Sequence, residues 1–213
     1  MKIQGLIFDF DGVIVDSEPF WEKADRRLMA EAGKVLIPEA KHAVIGLKQS
    51  DSIRVILKMH GLDGDPAVFM KRRERMMEEY YAREIPLNPG AAGAVRALHE
   101  SGVRMIVASS TPKRLVELCL ERFGLLDLFV RVVSGDEVEH GKPAPDIFLK
   151  ALGFLGLPAV DAAVVEDAVP GLLGARAAGL KAIWYRNEHQ PEGEKMADRT
   201  INALSELIGF VSN

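Results

Sequence analysis

The sequence predicts an α/β protein: a three-layer core on a parallel sheet, with a helical block inserted after the first strand. Three observations carry that prediction. Short apolar or β-branched runs alternate with helical stretches after about residue 88, the order that a parallel sheet with crossover helices requires. Residues from about 17 to 85 break the alternation and read as helix after helix, with no convincing strand. The chain has 213 residues, 48% hydrophobic and 27% charged, which at roughly 150 residues per domain is enough for one full core and a smaller second one.

The elements follow in order. The first strand is expected over Ile3–Phe8, where Leu6, Ile7 and Phe8 make the unbroken apolar run of a strand buried on both faces. The helical block comes next, with helices over Pro19–Ala32, Ser50–His60 and Pro66–Arg83, and Pro86 and Pro89 mark the return to the sheet. Strands are then expected at Val103–Ala108, Val130–Ser134, Ala162–Val165 and Lys181–Tyr185, alternating with helices at Ala91–Glu100, Lys113–Phe123, Pro145–Leu155 and Gly171–Ala178. Gly102, Gly124 and Gly179 sit just past three of these helices, where a left-handed C-terminal cap is wanted. The expected division is a core of 1–16 and 86–213 and a helical domain of 17–85.

Charge and composition exclude several classes. With 27 Lys+Arg against 31 Asp+Glu the net charge is −4, so no basic footprint for nucleic acid or an anionic membrane is expected. The longest apolar stretch, Ala151–Val160, is too short to span a bilayer. The N-terminus runs straight into an apolar segment ending at Asp9, without a charged n-region or a cleavage site. One cysteine cannot form an internal disulfide, and a cytoplasmic location is expected. A monomer or weak dimer is expected.

In an open parallel sheet, ligands bind beyond the carboxyl ends of the strands. After the first strand comes Asp9-Phe10-Asp11-Gly12, and after the second Ser109-Ser110-Thr111. The loop after the third holds Gly141-Lys142-Pro143, and the fourth is followed by Glu166-Asp167. Carboxylates with a backbone carbonyl suit a hard octahedral cation such as Mg²⁺. Hydroxyls and a lysine beside it suit a phosphate dianion. Asp9 can then act as nucleophile, and Asp11, two residues on, can pass a proton to the leaving oxygen while its carbonyl reaches the metal. Gly12 permits the sharp turn that follows. Each part has a bland counterpart: Ser109–Thr111 can cap the helix near Pro112, Lys142 can be a solvated charge, and Glu166-Asp167 can be acids at a helix N-terminus. Their occurrence in order, each after its own strand, favours the chemical reading.

At these residues the chain resembles the haloacid dehalogenase-like superfamily, subfamily I, and within it the β-phosphoglucomutase and sugar-phosphate phosphatase group. The resemblance covers nearly the whole chain and implies a Rossmann-like core with a mobile C1-type helical cap that chooses the substrate. Ile7-Phe8-Asp9-Phe10-Asp11-Gly12-Val13 is similar to the first motif, implying Asp9 as nucleophile and Asp11 as acid/base. Ser109, with Ser110 beside it, matches the phosphate-binding second motif, Lys142 the third, and Val165-Glu166-Asp167 the metal-holding fourth, so Asp9, Asp11, Glu166 and Asp167 are the implied Mg²⁺ site. The true dehalogenases lack the second aspartate, so Asp11 argues against dehalogenation. The mutases carry a histidine where this chain has Trp21. They carry a cap arginine, shortly after a glycine equivalent to Gly46, where this chain has Gln49 with Lys48 beside it, and a Lys-Asn pair where it has Pro112-Lys113. These departures imply a phosphatase acting on a small phosphorylated metabolite, a sugar or polyol phosphate. A phosphoglucomutase-type isomerase and a non-catalytic sugar-phosphate-binding protein are the alternatives.

Ser17, Trp21 and Gly46 are the expected substrate-side residues of the cap. Trp21 either lines the pocket or seals the cap's core, and Ser17 either faces the cleft or caps the helix entered at Pro19. Lys71, Arg72 and Arg73, followed by Glu74, Glu78 and Glu79, read as a solvated helix face. Cys119 reads as a buried helix residue, and the five histidines show no ligand spacing. Gly171, Gly174 and Gly179 form no dinucleotide fingerprint and are expected to let their helix lie close to the sheet.

Overall fold

The structure, a computed structural model, describes residues 3–44, 47–187 and 189–211. Its sheet is built from β1 (Gly5–Phe8), β2 (Arg104–Ser109), β3 (Val132–Ser134), β4 (Ala162–Glu166), β5 (Lys181–Tyr185) and β6 (Arg199–Ile201). The strand order is β3-β2-β1-β4-β5-β6 and every pairing is parallel. The chain therefore builds outward from β1 on one side, then crosses back to build the other, which makes the end of β1 the switch point where such sheets bind ligands.

Alternation along the strands makes the three layers. In β1, Leu6 and Phe8 join one hydrophobic cluster and Ile7 the other, because successive side chains leave a strand on opposite faces. The first face is covered by α5 (Ala91–Glu100) and α6 (Lys113–Arg122), the second by α7 (Asp146–Leu155) and α8 (Val169–Ala177). The buried residues of α5, Ala91, Ala94, Val95 and Leu98, fall at the i, i+3, i+4, i+7 spacing of a one-sided helix. Gly102, Gly124 and Gly179 all have positive φ, as their places after helices require.

Between β1 and α5 lie α1 (Glu18–Glu31), α2 (Pro38–His42), α3 (Gln49–Met59) and α4 (Pro66–Arg83). They share a hydrophobic cluster of their own around Leu28, Met29, Ile53 and Ile56, while Met77, Tyr80 and Tyr81 of α4 join the core's. The chain leaves and re-enters the core side by side: Asp16 N donates to Pro86 O at 3.0 Å and Asn88 N to Ile14 O at 2.9 Å.

Differences from the sequence reading are confined to short elements. The third strand begins at Val132, since Val130 is half exposed. The edge strand β6, the five-residue α2 and the terminal α9 (Ile208–Val211) are too short to show a period in the sequence. No described helix is long and apolar enough to cross a membrane.

Candidate active site

The sheet register assembles the site. Phe8 pairs with Val107 on one side and Val165 on the other, so Asp9 leaves β1 level with Glu166 at the end of β4. Asp9 N donates to Val165 O at 2.9 Å, which extends the ladder by one residue and fixes the aspartate's backbone. Lys142 reaches both acids from the loop before α7: its Nζ donates to Asp9 Oδ1 at 2.9 Å and to Glu166 Oε1 at 2.5 Å. Carboxylate oxygens of Asp9, Glu166 and Asp167 all lie within 4.8 Å of one another, and all three residues are buried.

Three acids against one lysine leave negative charge in a buried place. Burial first, and then the charge of Glu166, push Asp9 up to about 7. Asp167 is pushed well above the usual carboxylate range by burial and by Asp9 and Glu166, and Lys142 is held protonated by its two acids. A surplus of anionic oxygen donors, with no nitrogen or sulfur among them, fits a hard divalent cation.

Two glycines leave room for these carboxylates. Gly12 turns the chain with φ +79°, and a Cβ there would overlap the Asp167 carboxylate. A Cβ on Gly171 would overlap the carboxylate of Glu166, so that glycine makes space for an acid as well as bringing α8 to the sheet. Asn187 Nδ2 donates to Asp167 O and Oδ2 at 3.1 and 3.0 Å, and Asn88 Nδ2 ties down the Gly12 and Val13 carbonyls.

Asp11 has different surroundings. Its Oδ1 accepts from Ser17 Oγ at 2.5 Å, from Trp21 Nε1 at 3.4 Å and from the Tyr81 hydroxyl. Its Oδ2 accepts from Thr111 Oγ1 at 2.7 Å and Ser109 Oγ at 3.3 Å. A hydroxyl can donate or accept, so this cage accommodates the acid in either protonation state. Burial, with the charge of Asp11, pushes the Tyr81 phenol up, which keeps it a neutral donor.

A cavity of about 130 Å³ joins this site to the helical segment, with Asp9, Asp11, Lys142 and Asp167 at one end and Trp21, Asp25, Gln49, Ser52 and Arg73 at the other. Trp21 lines it and also packs against the hydrophobic core, so both readings of its sequence position describe it in part. Ser17 is wholly buried, makes no side-chain cap to α1 and bonds Asp11 instead. Gly46 lies outside the described residues.

The carboxylate of Asp11 is absent from the acidic cluster, in keeping with the expectation that its carbonyl, not its side chain, faces a metal. Ser109 is wholly buried, with its Oγ accepting from Thr111 N at 3.0 Å, while Ser110 and Thr111 line the cavity. One expectation needs correction: Arg73 is no part of a solvated face. Lys71 and Arg72 are exposed, but Arg73 is buried and bonded to Asp25, Gln49 and Ser52.

Sequence reasoning passed over Tyr81, Asn187 and the Asp25–Arg73 pair. Asn187 had a signal: it lies two residues past β5, where the rule that found the other strand-end groups would have led. Tyr81 reads as a core aromatic, and Asp25 sits in the buried stripe of α1 beside Leu28 and Met29, where an acid announces nothing until its partner is known.

A family model for haloacid dehalogenase-like hydrolases matches residues 3–179. The chain belongs to that family. The hydrolase is 28% identical over 202 residues to the phosphorylated carbohydrates phosphatase of Thermotoga maritima, covering 95% of this chain and 94% of that one. It is 33% identical over 215 residues to the probable pseudouridine-5'-phosphatase of Drosophila melanogaster, covering 98% and 90%. Its fold matches the crystal structure of CbbY from Rhodobacter sphaeroides in complex with phosphate at a TM-score of 0.86, with 27% identity and 96% of each chain covered. The family implied by the four sequence motifs is thus the family of the chain.

Proposed function

We propose that the hydrolase is a Mg²⁺-dependent phosphomonoesterase that cleaves a small sugar or polyol phosphate through an aspartyl phosphate, with residues 17–85 as a cap over a core of 1–16 and 86–213. The observation that carries the reading is the contrast between two aspartates two residues apart. Asp9 sits in an acidic cluster against Lys142, and Asp11 in a cage of hydroxyls, so one can bond phosphorus while the other moves a proton. The phosphatase names of the relatives support the same chemistry.

Lys142 and Ser110, which line the cavity beside the buried Ser109, hold the phosphoryl oxygens. An oxygen of Asp9 attacks phosphorus in line, the bond to the alcohol oxygen breaks, and Asp11 gives that oxygen its proton. Asp11, now ionised, takes a proton from water, whose oxygen attacks phosphorus and frees Asp9. Two steps replace the direct attack of water on a phosphate ester, which is extremely slow uncatalysed. Asp9, Asp167 and the Asp11 carbonyl, with Glu166 beside them, would hold Mg²⁺, which supplies charge neutralisation and polarises the phosphoryl oxygens.

The test is phosphate release over a panel of phosphorylated metabolites with Mg²⁺, including hexose 1- and 6-phosphates, with and without a chelator. Release that stops on chelation is expected. No release from any ester, or release indifferent to chelation, would overturn the reading in its first or second part, and turnover only after priming with glucose 1,6-bisphosphate would make the protein a mutase.

A further inference from the structure

The far end of the cavity carries charge of another kind. Arg73 Nη2 donates to Asp25 Oδ2 at 2.7 Å, with the two side chains 4% and 6% exposed. Arg73 Nη1 donates to Gln49 Oε1 at 2.8 Å and Ser52 Oγ at 3.2 Å, and the guanidinium lies 4.6 Å over the Trp21 ring. The arginine's charge is therefore cancelled in place, and most of its donors are engaged. Arg73 Nε has no partner among the described residues, but a second phosphate or a carboxylate arriving here would meet the Asp25 carboxylate beside the same guanidinium, so its charge would face an ion pair already neutralised.

What the cluster leaves for a ligand is different. With Gln49 Oε1 held by Arg73, the amide N–H groups are the part of Gln49 still available, and Ser52, whose oxygen accepts from Arg73, keeps its proton to donate. Asp25 Oδ1 is a buried acceptor without a partner. Donors, an acceptor and the indole of Trp21 match a carbon chain or ring that bears hydroxyls. Resting on the phosphatase reading, we infer that the Arg73–Asp25–Gln49–Ser52 cluster determines specificity: it selects phosphate monoesters of uncharged polyhydroxy alcohols and rejects those carrying a second anionic group.

The test compares esters that share a carbon-chain length and differ in a second anionic group, glycerol 3-phosphate against 3-phosphoglycerate and fructose 1-phosphate against fructose 1,6-bisphosphate, by kcat/KM for phosphate release. The uncharged partner of each pair is expected to be favoured by about tenfold or more. Asp25→Asn leaves Arg73 uncompensated and moves the ratio toward the anionic partner by about the same factor, whereas Ser52→Ala moves it in that direction by slowing the uncharged one. Equal loss on both esters in both variants would mean a merely structural cluster and overturn the inference, as would a wild-type preference for the anionic ester. Calorimetric binding of the same esters to Asp9→Asn reads the preference without turnover. A binding preference without any phosphate release would sink the phosphatase reading and uphold the selectivity, while release without preference would do the reverse.

Discussion

Two buried ionic clusters face each other across one cavity. The cluster at the strand ends sets three carboxylates against one lysine, and the cluster on the helices sets one carboxylate against one arginine. The first is anchored by β1 and β4, whose register fixes Asp9 and Glu166 to the same level, and its charge is not balanced by the chain. The second is assembled from α1, α3 and α4, is balanced, and stacks on Trp21. The difference teaches a division of labour: unbalanced charge on rigid strand ends suits a cation and a reacting phosphate, and balanced charge on helices suits recognition of neutral groups.

Removing Asp9 breaks the comparison at its centre. Asp9→Asn is expected to lose all measurable phosphate release while keeping its circular dichroism, and an active variant would sink the covalent scheme. Asp11→Asn should lower kcat by roughly 10²–10⁴-fold, since in the proposed mechanism it removes proton transfer and leaves the nucleophile. A loss confined to KM would contradict that role.

The imbalance also predicts a pH-dependent stability for the metal-free protein. Asp9 titrates near 7 in the folded chain against 3.8 ordinarily, so between about pH 4 and 7 the native state binds more protons than the unfolded one, and stability falls as pH rises. Lys142, held protonated in this range folded or unfolded, adds no slope there. Glu137 and Asp146, whose pKa values are lowered, act in the opposite sense but lie outside the acidic cluster. The gap between urea stabilities with and without Mg²⁺ should therefore widen with pH, by on the order of 4 kcal/mol for Asp9 alone. A gap that narrows would refute the metal assignment.

The balanced cluster should respond differently. Arg73→Met or Asp25→Leu alone should cost about 3 kcal/mol in urea unfolding, and the double variant should recover much of it, because a lone buried charge costs more than an apolar pair. Additive losses would contradict a pair neutralised in place. The smallest effect is at Cys119, far from both clusters in chemistry. Its buried thiol is pushed up to about 12, so it should resist alkylation at pH 8 until the chain unfolds, and prompt labelling of the folded protein would contradict its burial.

Legibility followed the same divide. The groups Asp9, Asp11 and Asp167 could be read from sequence because each closely follows an apolar run, and Lys142 because it lies in the loop after one; a parallel sheet turns that one-dimensional fact into proximity. Arg73 could not. Within Lys71-Arg72-Arg73 the three side chains are chemically alike, and only the packing of α4 against α1 and α3 turns one of them inward. Ser109 shows a finer limit, for its place at the end of β2 was legible and the direction of its hydroxyl was not.

Gly12 and Gly171 have a consequence for how this site can be inherited. Neither residue bears chemistry, yet each surrenders its side-chain volume to a carboxylate, Asp167 in one case and Glu166 in the other. Glu166 and Gly171 therefore form a linked unit spanning the end of β4 and the start of α8. A descendant that gains even a methyl at 171 must move the acid out of its seat and leave Lys142 with Asp9 alone, however faithfully it copies every charged residue.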